Sequence, residues 1–96
     1  MQDKRFEWHD QKARTNIRDH GVTFEDASKA FDDPAAFDEI DYSMDYGEER
    51  AVLIGRVGGN LLVVVYTMRG DRIRIISARE AERNERERYF DQGGEA

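Results

Sequence analysis

Arg72 and Arg74 alternate with Ile73 and Ile75, just ahead of Ser77 and Arg79. In an extended chain successive side chains point to opposite faces, so the two isoleucines share one face and the two arginines the other. Upstream, Leu61–Tyr66 is a continuous apolar run, the pattern of a strand covered on both faces. A row of guanidinium groups beside such a strand is costly unless it meets anions. Arginine presents a planar fork suited to bidentate contact with phosphate or carboxylate. The chemistry indicated is recognition of phosphate, and hence of RNA, or of an acidic partner.

Charge along the chain sharpens that reading. The net charge is −6, which argues against general nucleic-acid affinity, but it is unevenly spread. Residues 1–49 hold 6 Lys and Arg against 14 Asp and Glu, a balance of −8, whereas residues 50–96 hold 9 Arg against 7 Asp and Glu, a balance of +2. An acidic body with an arginine-bearing half suggests a local anion site. For the later arginines, ion pairing with Glu80, Glu82, Glu85 and Glu87 at helical spacing is the competing explanation. With no cysteine, neither a disulfide framework nor a thiolate metal site is available. No apolar run approaches a membrane span and no secretory pattern opens the chain, so a soluble cytoplasmic protein is expected.

The elements that must position these groups form a single domain over residues 6–90, followed by a flexible tail at 91–96. Phe6-Glu7-Trp8 reads as a short strand. Asp10–His20 reads as a helix with Ala13, Ile17 and His20 on one face and Gly21 as its left-handed stop. Thr23 caps a second helix, Ala27, Ala30 and Phe31 form its buried face, and Asp33-Pro34 closes it. Ala35–Tyr42 is expected to be an edge strand and Ser43–Glu49 a loop. Arg50–Val57, the Leu61 run and Arg72–Ser77 then follow on tight turns as an antiparallel meander. Ser77-Ala78-Arg79-Glu80 fits a capping box that would start a last helix at once, running to about Phe90. The expected architecture is α+β, with helices on one side of an antiparallel sheet.

Phe6-Glu7-Trp8, Lys12, Asn16, His20-Gly21-Val22 with Phe24, Asp32-Asp33-Pro34, Gly47-Glu48-Glu49-Arg50, Ile54-Gly55 and Ile73-Arg74-Ile75-Ile76-Ser77-Ala78-Arg79 together resemble the BrnT toxin family. The resemblance implies a compact relative of the RelE ribonuclease toxins: a type II toxin that cleaves RNA and inhibits translation. It further implies neutralisation by a BrnA-like antitoxin with a ribbon-helix-helix domain, which alone would contact operator DNA. Where the family usually has aspartate after the Trp8 position this chain has His9, so Asp10 would take over capping or the helix would start one residue later.

RNA cleavage without a metal needs a base for the 2′-hydroxyl, a cation for the phosphorane and an acid for the leaving oxygen. Arg74, on a rigid strand, is the first candidate for the phosphorane. Arg79 would sit near free amides in the first turn of the last helix, and Arg56 is a third phosphate candidate. Lys12 could bind phosphate or transfer a proton, or simply be a solvated helix lysine. His20 could be a base, or could cap helix carbonyls. Arg72, Arg50 and Tyr89 are candidates for substrate binding, although Arg50 could equally pair with Glu48 or Glu49. Tyr66 and Trp8 fit the core better than a base-stacking role. Carboxylates between Asp32 and Glu49 lack metal-loop spacing, and no cofactor is called for.

Overall fold

The computed structural model describes residues 1–41 and 49–92. Tyr42, the loop expected up to residue 48 and the tail residues Gly93–Ala96 lie outside the described residues. The chain runs β1 (Phe6–Glu7), α1 (Asp10–His20), α2 (Phe24–Lys29), a 3-10 turn (Ala30–Asp32), β2 (Phe37–Asp41), β3 (Arg50–Val57), β4 (Asn60–Arg69), β5 (Arg72–Glu80) and α3 (Arg83–Gln92). It is the α+β layout read from the sequence. Strands β2 to β5 form the expected antiparallel meander, in a five-strand sheet ordered β1-β5-β4-β3-β2. β1 adds parallel to β5, with Phe6 opposite Ile73 and Glu7 opposite Arg74, so the sheet is mixed. A parallel neighbour requires a long crossover, and everything between β1 and β5 supplies it.

Local signals act where the sequence puts them. Gly21 ends α1 at φ 70°, a conformation without penalty only for glycine, and its N–H reaches Ile17 O at 2.9 Å. Thr23 Oγ1 accepts the Asp26 N–H at 3.0 Å and caps α2. α1 begins at Asp10 behind His9, whose side chain makes no capping bond.

Three expectations are corrected. Helices lie on both faces of the sheet. α1 and α2 cover the face bearing Leu53, Leu62, Val64, Ile75 and Ala78, together with Phe6, Trp8 and Phe24. α3 covers part of the other face through Tyr89, over Ile54, Leu61 and Val63. The continuous apolar run of β4 is needed because its alternate residues feed these two separate cores. Burying one such aliphatic or aromatic side chain contributes about 1.5–3 kcal/mol.

Next, Ser77–Glu80 is not a capping box. β5 continues through Glu80, with Ser77, Ala78, Arg79 and Glu80 opposite Val65, Val64, Val63 and Leu62. A cap satisfies one or two orphan amides, whereas the ladder pairs the whole stretch. The helix instead opens after Glu82, whose N–H donates to Glu85 Oε1 at 2.8 Å. Glu85 thus provides the back-bonding half of a capping box, further along the chain.

Last, α1 turns Asn16 inward, not Ile17, which is 49% exposed. Asn16 Nδ2 donates to Ala78 O at 2.8 Å and to Val22 O at 2.9 Å, while its Oδ1 accepts the Ala78 N–H at 3.1 Å. β1 ends at Glu7, which leaves this stretch of β5 without a strand neighbour on the edge away from β4. The Asn16 carboxamide takes the place of a peptide group there, and its bonds set the rotation of α1.

Candidate nucleic-acid interface

On the face that carries α3, the helix covers only one end of the sheet. Cross-strand partners share a face, so register locates every candidate. Thr67 is opposite Arg74, which is opposite Glu7 on β1, and Arg50 lies one residue beyond the last β3–β4 pair, level with Thr67. The next rung pairs Arg69 with Arg72 directly. Arg50, Arg69, Arg72 and Arg74 therefore gather on the half of this face that α3 does not reach. Like charges directly opposite on neighbouring strands are destabilising, unless an anion sits between them.

The arginines differ in how they are held. Arg74 Nε donates to Glu7 Oε2 at 3.0 Å, and the pair is half-buried. No other described side chain takes its Nη1 or Nη2, so the fork of this guanidinium is open. Arg72 is tied to the start of the chain: its Nε donates to Asp3 O at 2.7 Å. The Gln2 carboxamide, turned so that its oxygen faces Arg72, accepts from Nη1 and Nη2 at 3.0 Å. Thr67, buried on β4 opposite Arg74, spends its hydroxyl on Glu49 O at 2.6 Å. Arg69 is exposed and makes no side-chain bond among the described residues. It is not among the candidates read from the sequence; its cross-strand partner Arg72 is the signal that finds it.

Arg79 and Arg56 are elsewhere. Arg79 lies on β5 opposite Val63, so its expected place in a helix's first turn, near free amides, is overturned by the extension of β5. It donates to both Glu85 carboxylate oxygens, at 2.8 and 2.7 Å. That bond holds the Glu85 carboxyl below the usual range despite burial pushing it up, with the Glu82 N–H helping. Arg56 pairs with Leu61 at the far end of β3, six residues from Arg50, or about 20 Å at 3.3 Å per residue. Its guanidinium lies 5.9 Å from the Tyr89 ring centre and 5.7 Å from that of Phe90.

Tyr89 is enclosed at 2% exposure and donates its hydroxyl to Asp33 Oδ2 at 2.7 Å. The same carboxylate accepts the Arg56 N–H at 2.7 Å and the Ala35 N–H at 2.9 Å. Burial raises the Asp33 pKa, but these three bonds outweigh it and leave the group lowered. Tyr89 and Arg56 thus anchor α3 to the sheet, away from Arg74. Tyr66 is buried as expected, with its hydroxyl donated to Asp38 at 2.5 Å.

Lys12 and His20 line one cleft of about 600 Å³ between α1 and β5, with His9, Asn16, Ile76 and Ser77. This cleft follows the β5 edge that β1 leaves open. The two side chains are not side by side: eight residues of helix separate them by about 12 Å. Lys12 belongs to the first turn after the strand bearing Glu7, and His20 to the far end, where it also borders Gly21 and Glu80.

A small α+β domain thus carries a cluster of arginines on one half of a rigid sheet, where Arg74 keeps its Nη1/Nη2 fork open and Arg69 is exposed. The family described as ribonuclease toxin, BrnT, of type II toxin-antitoxin system matches residues 8–85, and the chain belongs to that family. A comparison with curated proteins gives no match. Membership makes it a ribonuclease toxin by family, with a protein antitoxin as partner. No helix among the described residues is long and apolar enough to cross a membrane.

Proposed function

We propose that this protein is an endoribonuclease that cuts RNA through its own 2′-hydroxyl and thereby inhibits translation. In the same reading a BrnA-like ribbon-helix-helix antitoxin neutralises it, and operator DNA is contacted only through that antitoxin. The observation that carries the proposal is the open Nη1/Nη2 fork of Arg74, on a strand held between β1 and β4. In the phosphorane, negative charge builds on the non-bridging oxygens. A fixed bidentate donor gains most at that point because it need not reorganise. Arg69, Arg72 and Arg50 surround this fork and favour the approach of an RNA backbone. Lys12 would hold a neighbouring phosphate or protonate the leaving 5′-oxygen from the first turn of α1, and His20 would contact RNA further along the cleft. Arg79 acts on the phosphate only by leaving Glu85, so its part here is to hold α3 in place. Arg56 and Tyr89 likewise support the fold.

One observation favours a second reading, a binding module that holds the antitoxin without cutting RNA. The net charge of −6 opposes RNA as a ligand, and acidic side chains of a partner would satisfy the same arginines.

The test is induction of the chain without antitoxin, followed by growth measurement and mapping of RNA 5′ ends. Arrest with new RNA ends is expected. Arg74→Ala should lower the cutting rate about 10²-fold or more, the scale of losing one such donor. Arg56→Ala, at the opposite end of β3 from Arg50, should retain cutting in whatever fraction stays folded. Intact RNA in cells full of soluble wild-type protein would exclude the nuclease and leave the binding module.

A further inference from the structure

The ribonuclease reading names a group for the phosphorane but none for the 2′-hydroxyl proton. The open half of the sheet offers one. Among the described residues, Glu7 is the sole carboxylate that β1, β4 and β5 place on this face, directly opposite Arg74. Its side chain is 16% exposed, and Arg74 Nε engages only Oε2, at 3.0 Å. Oε1 has no partner among the described residues, and neither have Arg74 Nη1 and Nη2.

A second part-buried ion pair shows what a purely structural bridge looks like. Arg79 and Glu85 meet fork to fork through both oxygens, and Glu85 also takes a backbone N–H. Glu7 and Arg74 instead meet by one edge each. That leaves one carboxylate oxygen and the two terminal guanidinium nitrogens of the same ion pair without a partner among the described residues.

We propose that Glu7 is the general base of the reaction, working beside Arg74 on the same phosphodiester. This rests on the ribonuclease reading above. With the scissile phosphate on Nη1 and Nη2, the adjacent ribose 2′-hydroxyl falls to Oε1. The 2′-oxygen gives its proton to Oε1 as it bonds to phosphorus, and the bond from phosphorus to the 5′-oxygen breaks. That oxygen takes a proton from Lys12 or, where Lys12 holds the neighbouring phosphate, from solvent water, and Glu7 returns its own to the amine or hydroxide left behind. The products are a 2′,3′-cyclic phosphate and a free 5′-hydroxyl, and no metal or other reagent enters the balance. Lys12 is less suited, since a charged ammonium has three donors and no lone pair. His20 is too far along the helix.

The experiment uses the whole chain and a reporter RNA in a translating bacterial extract, with cutting followed at saturating protein. Glu7→Gln keeps the shape and an acceptor for Arg74 Nε but cannot take a proton. Its saturating rate should fall about 10²- to 10⁴-fold, with little change in the protein concentration needed for half saturation. Glu7→Ala should be equally slow and should regain rate as formate is added, because the small carboxylate fills the vacated position. Thermal melting of each variant reports the folded fraction, and for a variant that melts early the formate dependence still identifies the base.

A single 2′-deoxy substitution at the cut site should abolish cleavage by wild type. A Glu7→Gln variant that cuts at the wild-type saturating rate overturns the assignment and leaves Arg74 standing. A loss confined to half saturation does so too, because Glu7 then serves only to orient Arg74. Intact RNA with wild type overturns this inference and the nuclease reading together.

Discussion

Replacing Asn16 with leucine keeps the branched outline and heavy-atom count of the side chain while removing all three of its hydrogen bonds, to Ala78 N–H, Ala78 O and Val22 O. Ala78 is 1% exposed and Asn16 itself 5%, so water cannot replace the lost partners without opening the seam between α1 and β5. A typical intramolecular bond contributes about 0.5–1.5 kcal/mol net, and leaving its partner buried and unpaired costs about 1–3 kcal/mol. Three bonds sharing one side chain give about 3 kcal/mol as a working value. Against the roughly 5–15 kcal/mol that stabilises a domain, that is a large share. For a chain of this size it lowers Tm by about 12–24 °C.

Urea unfolding followed by fluorescence of Trp8 gives the number directly. The midpoint should fall with the slope unchanged, which marks a change in stability alone. Asn16→Asp separates the roles of the two amide atoms. Its carboxylate accepts from Ala78 N–H but has no proton for Ala78 O or Val22 O, so it should be at least as unstable at neutral pH. Acidification returns one donor, and the deficit relative to wild type should shrink. An Asn16→Leu protein within 0.5 kcal/mol of wild type would refute the idea that this carboxamide completes the sheet edge.

Further outcomes follow from the packing of the 3-10 turn and α3 on the sheet. A methyl group at Gly55 would sit 2.6 Å from the backbone oxygen of Ala30. Gly55→Ala should therefore cost about 1–3 kcal/mol as β3 and the 3-10 turn are forced apart, and chemical denaturation measures it. Asp33 and Glu85 both have folded-state pKa values below their ordinary ones. Their contribution is complete above the unfolded carboxylate range near about 4 and is lost as pH falls through the lower folded values. Thermal melts should thus be steady from neutral pH to about 5 and decline below about 4. Glu85→Gln should start lower at neutral pH and show a smaller acid decline; an unchanged decline would mean the Arg79 bridge does not hold α3.

Much of the fold was legible. Gly21 and Thr23 act where they stand because a left-handed stop and a hydroxyl cap depend on a few neighbouring residues. The four meander strands were legible from their turns and apolar runs. Ile17 was misplaced because an apolar residue at helical spacing resembles a core residue, while the buried position belongs to Asn16. That choice depends on Ala78, sixty-two residues away. Ser77–Glu80 was misplaced because a capping box and a strand end share the same residue types. Only the full length of β4 opposite decides which set of partners wins.

The candidate site divides in the same way. That Arg72 and Arg74 share a face follows from the two-residue period of a strand, and the sequence by itself determined it. The sequence also carried the family, through short motifs spread over most of the chain. Tertiary structure alone decided which guanidinium groups remain available. Arg79 and Arg56 fall under or beside α3 because Glu85 and Asp33 bring the helix there. Arg74 keeps an open fork because β1 returns from the far end of the chain and places Glu7 against its Nε. Alternation is fixed between neighbours in the chain, whereas coverage is set by contacts between residues distant in sequence, and no local pattern encodes those.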